Sequence, residues 1–321
     1  MTVLVTGAAG FIGSNVARLL LDQDREVVGV DNLNASYDAR LKEWRLQRLR
    51  SYPGFSFHQV ELADRTTLGT LFSQGHLEAV INLAARAGVR QSLEDPWAYY
   101  ETNLTGTMNL LDLCRNHDVR KLILASTSSV YGATEGLFQE EGKTDRPLSP
   151  YAASKKAAEN LCYAYHYSYG INITIPRYFT VYGPAGRPDM SIFRFIRWIA
   201  EQEPLILYGD GSQSRDFTYV DDIARGTVLG LGLEGYNIIN LGSDSPTSLT
   251  RVIELLEGFL GKKANIRREP VNPLDVPATW ADISRARALL GWEPKTSLEE
   301  GLRVAVQWYL ENRSWAKDLK L

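Results

Sequence analysis

Short apolar runs alternate with amphipathic stretches over the first half of the chain. Runs rich in Val, Ile and Leu without polar alternation predict strands buried on both faces, at Val3–Thr6, Glu26–Asp31, Phe55–Glu61, Ala79–Leu83, Lys121–Ser126 and Ile171–Tyr178. Helical spacing predicts Phe11–Asp22, Leu41–Arg50, Thr66–Ser73, Trp97–Asn116 and Tyr151–Tyr169. Such alternation implies an α/β, Rossmann-type, doubly wound parallel sheet with helices on both faces. After Tyr178 the rhythm breaks at Gly183-Pro184, Arg187-Pro188 and Gly209-Asp210-Gly211. Helices follow at Ser191–Gln202, Thr250–Leu260, Ser284–Leu290 and Leu298–Asn312. The expected division is a main domain over 1–178, with a returning segment at about 217–242. A smaller α/β lobe takes 179–216 and 243–321.

At 321 residues the chain exceeds what one core usually holds, which agrees with two lobes. The net charge of -3 and the lack of a long Lys/Arg run argue against a nucleic-acid partner. The basic stretch Arg40–Arg50, interleaved with Glu43 and leucines, reads as a solvated helix face. No apolar run is long enough to span a bilayer, and the chain opens directly into a strand. Neither membrane insertion nor export is expected, and the protein should be cytoplasmic. Cys114 and Cys162 lie in apolar helical stretches and read as buried free thiols. The four histidines are scattered, so no metal site is expected.

Gly7-Ala8-Ala9-Gly10-Phe11-Ile12-Gly13 follows the first strand and opens the first helix. Absent side chains let backbone N–H groups approach a pyrophosphate, and the helix N-terminus favours its charge. The spacing is weak alone, but Asp31 ends the second strand near the offset expected of a carboxylate on an adenosine ribose. That carboxylate would repel a 2′-phosphate, so NAD is the expected cofactor. Glu61 ends the third strand, within reach of an adenine amino group. The small residues of Asn82-Leu83-Ala84-Ala85 let a cofactor lie against the backbone.

Tyr151 and Lys155 share one helix face four residues apart, behind a Ser149 cap and Pro150. A phenol titrates near pH 10 and needs neighbouring positive charge to serve as a base at neutral pH. A lysine ammonium and the nicotinamide ring of NAD would supply it. Tyr151 then takes a proton from a sugar hydroxyl as hydride leaves the same carbon. Ser126-Thr127-Ser128-Ser129 makes a hydroxyl-rich strand end, with Thr127 placed to bond the reacting oxygen.

These residues carry a resemblance, from end to end, to the extended short-chain dehydrogenase/reductases. It rests on the glycine loop, Asn82-Leu83-Ala84-Ala85, Tyr151/Lys155, Arg177-Tyr178-Phe179, Val181-Tyr182-Gly183-Pro184, Arg215-Asp216-Phe217 and Tyr219-Val220-Asp221-Asp222. Ala87-Gly88-Val89-Arg90, Phe179-Thr180-Val181-Tyr182, Gly186-Arg187-Pro188-Asp189-Met190 and Asp275-Val276-Pro277-Ala278-Thr279 are similar to the patterns of UDP-glucuronate 4-epimerases. The resemblance implies Thr127, Tyr151 and Lys155 as the catalytic set. It places Gly7, Gly10, Phe11, Ile12, Asp31, Asn32, Leu62, Leu83, Ala84, Ala85, Asn103 and Tyr178 around NAD. It sets Arg215 on the diphosphate, Tyr208 against uracil and Asp275 on the uridine ribose, with Arg90 also on the substrate side. A homodimer through Trp97–Asn116 and Tyr151–Tyr169 is implied too, with Leu104, Met108, Leu111, Leu161 and Tyr165 as fitting apolar residues. Three positions depart from relatives: Glu61 replaces a common Asp, Arg86 a common Gln, and Asn272 the Arg of galactose-type epimerases.

Chemistry separates the family's reactions. After oxidation at C4, a 4,6-dehydratase needs an acid and a base near C6, and relatives of that kind resemble Thr-Asp-Glu where this chain has Thr127-Ser128-Ser129. Decarboxylases carry a Glu there too, and a serine hydroxyl is a poor substitute. Epimerisation needs no further acid or base. Short hydroxyl donors from Thr127, Ser128, Ser129 and Thr180 suit a C6 carboxylate, and Arg187 is expected on a carboxylate or a diphosphate. The expected reaction is UDP-glucuronate 4-epimerisation; UDP-glucose or UDP-N-acetylglucosamine 4-epimerisation is the alternative. A non-catalytic NAD-binding regulator is disfavoured by the complete Thr127/Tyr151/Lys155 set.

Overall fold

The computed structural model describes residues 1–271 and 275–320. Thirteen strands follow one another there: β1 Thr2–Thr6, β2 Glu26–Asp31, β3 Phe55–Gln59, β4 Ala79–Asn82, β5 Lys121–Leu124, β6 Ser126–Thr127, β7 Asn172–Tyr178, β8 Thr180–Tyr182, β9 Pro204–Tyr208, β10 Ser214–Tyr219, β11 Tyr236–Leu241, β12 Pro246–Ser248 and β13 Asn265–Glu269. The helices used below are α1 Phe11–Leu21, α2 Ala39–Arg50, α3 Arg65–Gln74, α4 Gln91–Glu94, α5 Pro96–Tyr100, α6 Gly106–Asn116, α7 Pro150–Tyr169, α8 Ser191–Glu201, α9 Val220–Leu229, α10 Leu249–Leu260, α11 Ser284–Leu290 and α12 Leu298–Glu311.

Seven strands form a parallel sheet in the order β3-β2-β1-β4-β5-β7-β11, with β6 running on past β5 beside β7. The unalternated strands have a direct cause. Val3 and Val5 face α1 and α9, where Val16, Ala17, Ala224 and Val228 are buried. Leu4, Val80, Leu122 and Ile173 face α3, α6 and α7. Both faces are covered along these central strands, so apolar residues occupy consecutive positions in β1, β4 and β5. The order reverses direction between β1 and β4, and at such a switch point a crevice opens outside the carboxyl ends of the strands.

The second apolar core packs α8, α10 and α12 around Leu205, Leu207 and Phe217. Two small sheets edge it, β12-β10-β8 and β13-β9. The strand that returns to the main sheet is therefore β11. The earlier part of the expected segment, β10, joins β8 and β12 instead, and α9 then covers α1.

Two expected features are corrected. The predicted helix Trp97–Asn116 is interrupted: Asp95 caps α5 and Pro96 takes its first turn, then Glu101–Thr105 winds as a π-helical turn before α6. The basic helix α2 is a solvated face only in part: Arg40, Arg48 and Arg50 are exposed, while Lys42 and Arg45 turn inward. Lys42 and Arg45 are 5% and 3% exposed, on the same side as Leu46 and Leu49. Arg45 donates to the carbonyls of Ala9 (3.2 Å) and Ala185 (2.6 Å), tying the glycine loop to the second lobe. Among the described residues no helix is long and apolar enough to cross a membrane.

Behind the ends of β6 and β7 lies a buried ion pair. Arg177 Nε and Nη2 donate to Glu159 Oε1 and Oε2 at 2.9 and 2.8 Å, with both side chains at most 1% exposed. Ser126 and Lys156 also donate to the Glu159 carboxylate. Removing one member strands the other's charge, so Arg177→Met is expected to cost about 3–5 kcal/mol in urea unfolding. The double variant Glu159→Met/Arg177→Met is expected to be less destabilised than the sum of the two single variants.

Candidate active site

The crevice is a cavity of roughly 630 Å³ reaching from the glycine loop into the second lobe. At its inner end Gly7 adopts φ 67°, and a Cβ there would stand 2.7 Å from the Ala84 nitrogen. A Cβ on Gly13 would meet the Gly7 carbonyl at 2.0 Å. No side chain caps the first turn of α1, which leaves its N–H groups to a ligand. Gly7, Gly10, Phe11 and Ile12 all line this end. A glycine cradle and an uncapped helix start fit the diphosphate of a dinucleotide.

Asp31 stands beside the cradle, its Oδ2 accepting from Ala9 N at 3.2 Å and its Oδ1 from Leu33 N at 2.8 Å. Lys42 Nζ lies 3.3 Å from Oδ1, so the carboxylate is an ion pair inside the cavity wall. The sequence reading missed Lys42. The signal was available: Lys42, Arg45 and Leu49 repeat at helical spacing on one face. Asn32 donates to Glu61 Oε2 at 2.6 Å, so both residues expected near adenosine share one bond. Leu62, Leu83, Ala84, Ala85 and Tyr178 complete the wall, and the Tyr178 hydroxyl is bonded to Thr227 of α9 at 2.8 Å.

The expected catalytic residues meet midway. Ser149 accepts from Ala152 N and Pro150 opens α7, which presents Tyr151 and Lys155 to the cavity. Thr127 ends β6 opposite them. The Tyr99 ring packs edge-on against the Tyr151 ring at 6.1 Å and limits its swing. Lys155 is 3% exposed and donates to the Ala125 carbonyl at 2.9 Å. Burial pulls its ammonium down to about 8, against the opposing charge of Glu159. Burial pushes the Tyr151 phenol up; the Thr127 hydroxyl and the charge of Arg187 act in the other direction. The sequence reading put Lys155 in that role. In the folded chain Arg187 also bears on the phenol, and Lys155, one helical turn from Tyr151, donates to the Ala125 carbonyl.

Ser128 and Ser129 form a 3-10 turn after Thr127, whose Oγ1 accepts from Ser129 N at 3.1 Å. With Thr180 at the start of β8 they line the same cavity as Tyr151. Arg187 is paired to Asp189 at 2.6 and 3.0 Å and donates to the Ala87 carbonyl. Farther out Arg90 pairs with Asp275 at 2.7 Å and lies 4.4 Å over the Tyr208 ring. Arg215 donates to the Ser214 carbonyl at 2.8 Å.

Of the residues expected at the site, Asn103 alone lies off the cavity wall. The π-helical turn carries it 1% exposed behind the loop after β4. There it accepts from Arg86 N and donates to Arg86 O and Ser154 Oγ, pinning that loop to α7. Arg86 is also off the wall, and Asn272 lies outside the described residues.

Known proteins resemble this chain in sequence and fold. The family described as GDP-mannose 4,6 dehydratase matches residues 4–305. A UDP-glucuronate 4-epimerase of Thermodesulfobacterium geofontis is 55% identical over 321 residues, covering 99% of each chain. The crystal structure of a Bacillus cereus UDP-glucuronic acid 4-epimerase in complex with UDP-glucuronic acid and NAD superposes with a TM-score of 0.93. It is 40% identical and covers 97% of this chain and 100% of that one. A UDP-glucose 4-epimerase from Thermotoga maritima with UDP-glucose is 32% identical, with a TM-score of 0.90 over 98% of this chain and 100% of that one. The chain belongs to the GDP-mannose 4,6 dehydratase family of extended short-chain dehydrogenase/reductases.

Proposed function

We propose that this protein is an NAD-dependent UDP-glucuronate 4-epimerase, interconverting UDP-glucuronate and UDP-galacturonate through a transient 4-keto sugar. One observation carries the choice of reaction. The hydroxyls of Thr127, Ser128, Ser129 and Thr180 share the cavity wall with Tyr151, no acid stands at the strand end Thr127-Ser128-Ser129, and the lining carboxylate of Asp189 is tied to Arg187. Elimination at C5 and C6 needs a committed acid and base; hydroxyls bind a carboxylate without supplying either. The 55% identical relative of that name supports the substrate.

Gly7, Gly10, Phe11, Ile12, Asp31 and Lys42 would hold NAD, which when bound supplies hydride acceptance and return at C4. The remaining work belongs to the chain. Tyr151 takes the proton of the C4 hydroxyl and later returns it, while Thr127 bonds the same oxygen. Lys155 adds positive charge behind them. Hydroxyl donors on the C6 carboxylate keep its bond to C5 out of line with the keto group, which slows loss of carbon dioxide. The lobe of 179–216 and 243–321 holds the UDP, through Tyr208, Arg215 and Asp275, while the sugar turns to present its other face.

We also propose a homodimer through α5, α6 and α7. Trp97 and Tyr167 are each 82% exposed there, with Met108 and Tyr163 beside them on these helices. Leu111 belongs to the chain's own core instead. Cys114 and Cys162 are unpaired and buried, which supports residence in the reducing cytoplasm.

Incubated with NAD and UDP-glucuronate, the protein is expected to yield UDP-galacturonate on anion-exchange chromatography. Tyr151→Phe should cut kcat by about 10²–10⁴-fold. Turnover of UDP-glucose but not UDP-glucuronate would overturn the assignment.

Lys155 makes a pH prediction. Its folded value of about 8 is below the ordinary lysine value, so the ammonium is disfavoured in the folded protein relative to the unfolded chain. The burial cost is fully present below pH 8 and is relieved as pH rises toward the ordinary value. Lys155→Met should therefore raise unfolding stability at pH 7 by about 1–3 kcal/mol while abolishing turnover. In thermal melts the gain should shrink above pH 8.

The Lys42–Asp31 pair makes another. A paired carboxylate repels a 2′-phosphate less than a lone one. Lys42→Met is expected to widen the preference for NAD over NADP by about tenfold in fluorescence titrations, roughly one charge interaction at a partly buried site.

A further inference from the structure

The cavity is lined by six cationic side chains and four carboxylates, and most of them cancel in pairs. Lys42 is held by Asp31, Arg90 by Asp275 and Arg187 by Asp189. Three cations on the wall have no carboxylate partner among the described residues: Lys155, Arg215 and Arg194. Lys155 sits at the reacting end, bonded to Ala125 O. The other two lie in the second lobe.

Arg194 has been given no role so far. It stands on α8 three residues past Ser191 and four before Trp198, and all three line the cavity. Its guanidinium lies 5.3 Å from the centre of the Trp198 ring, which holds the group flat. Its Nε is buried and has no hydrogen-bond partner among the described residues. A buried donor left unpaired costs about 1–3 kcal/mol, so its retention points to a ligand that pairs it. A planar fork of N–H donors with no acceptor of its own matches an oxyanion with several lone pairs.

We propose that Arg194 is a binding residue for the diphosphate of the nucleotide sugar, acting with Arg215 as the second of two uncompensated guanidiniums. The inference rests on the proposed UDP-sugar reading and deepens it. A diphosphate diester carries two negative charges; the second lobe offers two cations that form no ion pair among the described residues. Arg90 and Arg187 must first leave Asp275 and Asp189, whereas Arg194 is available without exchange. Trp198 keeps the fork from collapsing onto the wall.

Isothermal titration of the NAD-loaded protein with UDP, UMP, uridine and UDP-glucuronate tests this. Arg194→Gln should weaken UDP about 10- to 100-fold, the range of one charge-assisted bond. UMP should weaken less, and uridine should be unchanged. Arg194→Lys, which keeps the charge and loses the fork, should fall between. Thermal melts of both variants report folding, and Arg194→Lys carries the test if Arg194→Gln does not fold. UDP affinity equal to wild type in the variants would overturn the role of Arg194 and leave the epimerase reading standing. Loss confined to UDP-glucuronate would also overturn it, because the partner would then be the sugar carboxylate. A wild-type protein that binds no UDP at all would defeat the function and this inference together.

Discussion

The catalytic end of the molecule depends on one buried ion pair. Glu159 lies one helical turn beyond Lys155 on α7, and Arg177 lies on β7. Their two-pronged contact fixes how far α7 slides along the sheet. Ser126 bonds to the same carboxylate, and Ser126 is the residue before Thr127. One carboxylate thus sets the height of the strand end that delivers Thr127 and of the helix that delivers Tyr151 and Lys155. The Arg177 guanidinium is braced further by the Tyr131 ring at 4.8 Å and the Glu140 carbonyl. Such a pair contributes little net stability over a hydrophobic replacement. Its value here is that one carboxylate joins α7, β6 and β7 through a single set of hydrogen bonds.

The same logic of paired charges runs through the cavity. Arg90–Asp275 and Arg187–Asp189 are ion pairs across or within loops, at 2.7 and 2.6 Å. Under the proposed function these residues exchange partners when the substrate enters. A ligand that supplies a replacement anion offsets that exchange; one that does not leaves a partly buried charge without its partner. Selectivity for a nucleotide sugar with a C6 carboxylate then comes from competition as much as from fit.

Much of this was legible in the chain because it is encoded over short distances. The glycine loop, Asp31 after β2, and Tyr151 with Lys155 are each a local spacing. So are the unalternated strands, whose apolar runs report two covered faces. What stayed hidden depends on partners far along the chain. Lys42 and Arg45 look solvated by residue type; Asp31 and the Ala9 and Ala185 carbonyls bury them. Trp97–Asn116 reads as one helix because a π-helical turn has no composition of its own, although Pro96 behind Asp95 marked where the helical segment begins. Asn103 was read toward the cofactor, yet that turn swings it onto Arg86. Arg215, Arg187 and Asp275 were read as ligand contacts, and their present partners could not be inferred from sequence at all.

The protonation of Tyr151 ties these observations to the chemistry. In the chain alone burial outweighs both Thr127 and Arg187, and the phenol stays above its ordinary range. Lys155 is itself near the edge of its charged state, drawn down to about 8. Under the proposed function, a base so arranged ionises more readily when a further positive charge lies beside it. Under the proposed function that charge arrives only with the oxidised cofactor, so proton removal and the capacity to accept hydride are available together or not at all. A sugar hydroxyl bound before the cofactor would meet a neutral phenol, which donates a hydrogen bond and takes no proton. Under the proposed function, burial of Tyr151 therefore disfavours the phenolate until the charge of the oxidised cofactor lies beside it.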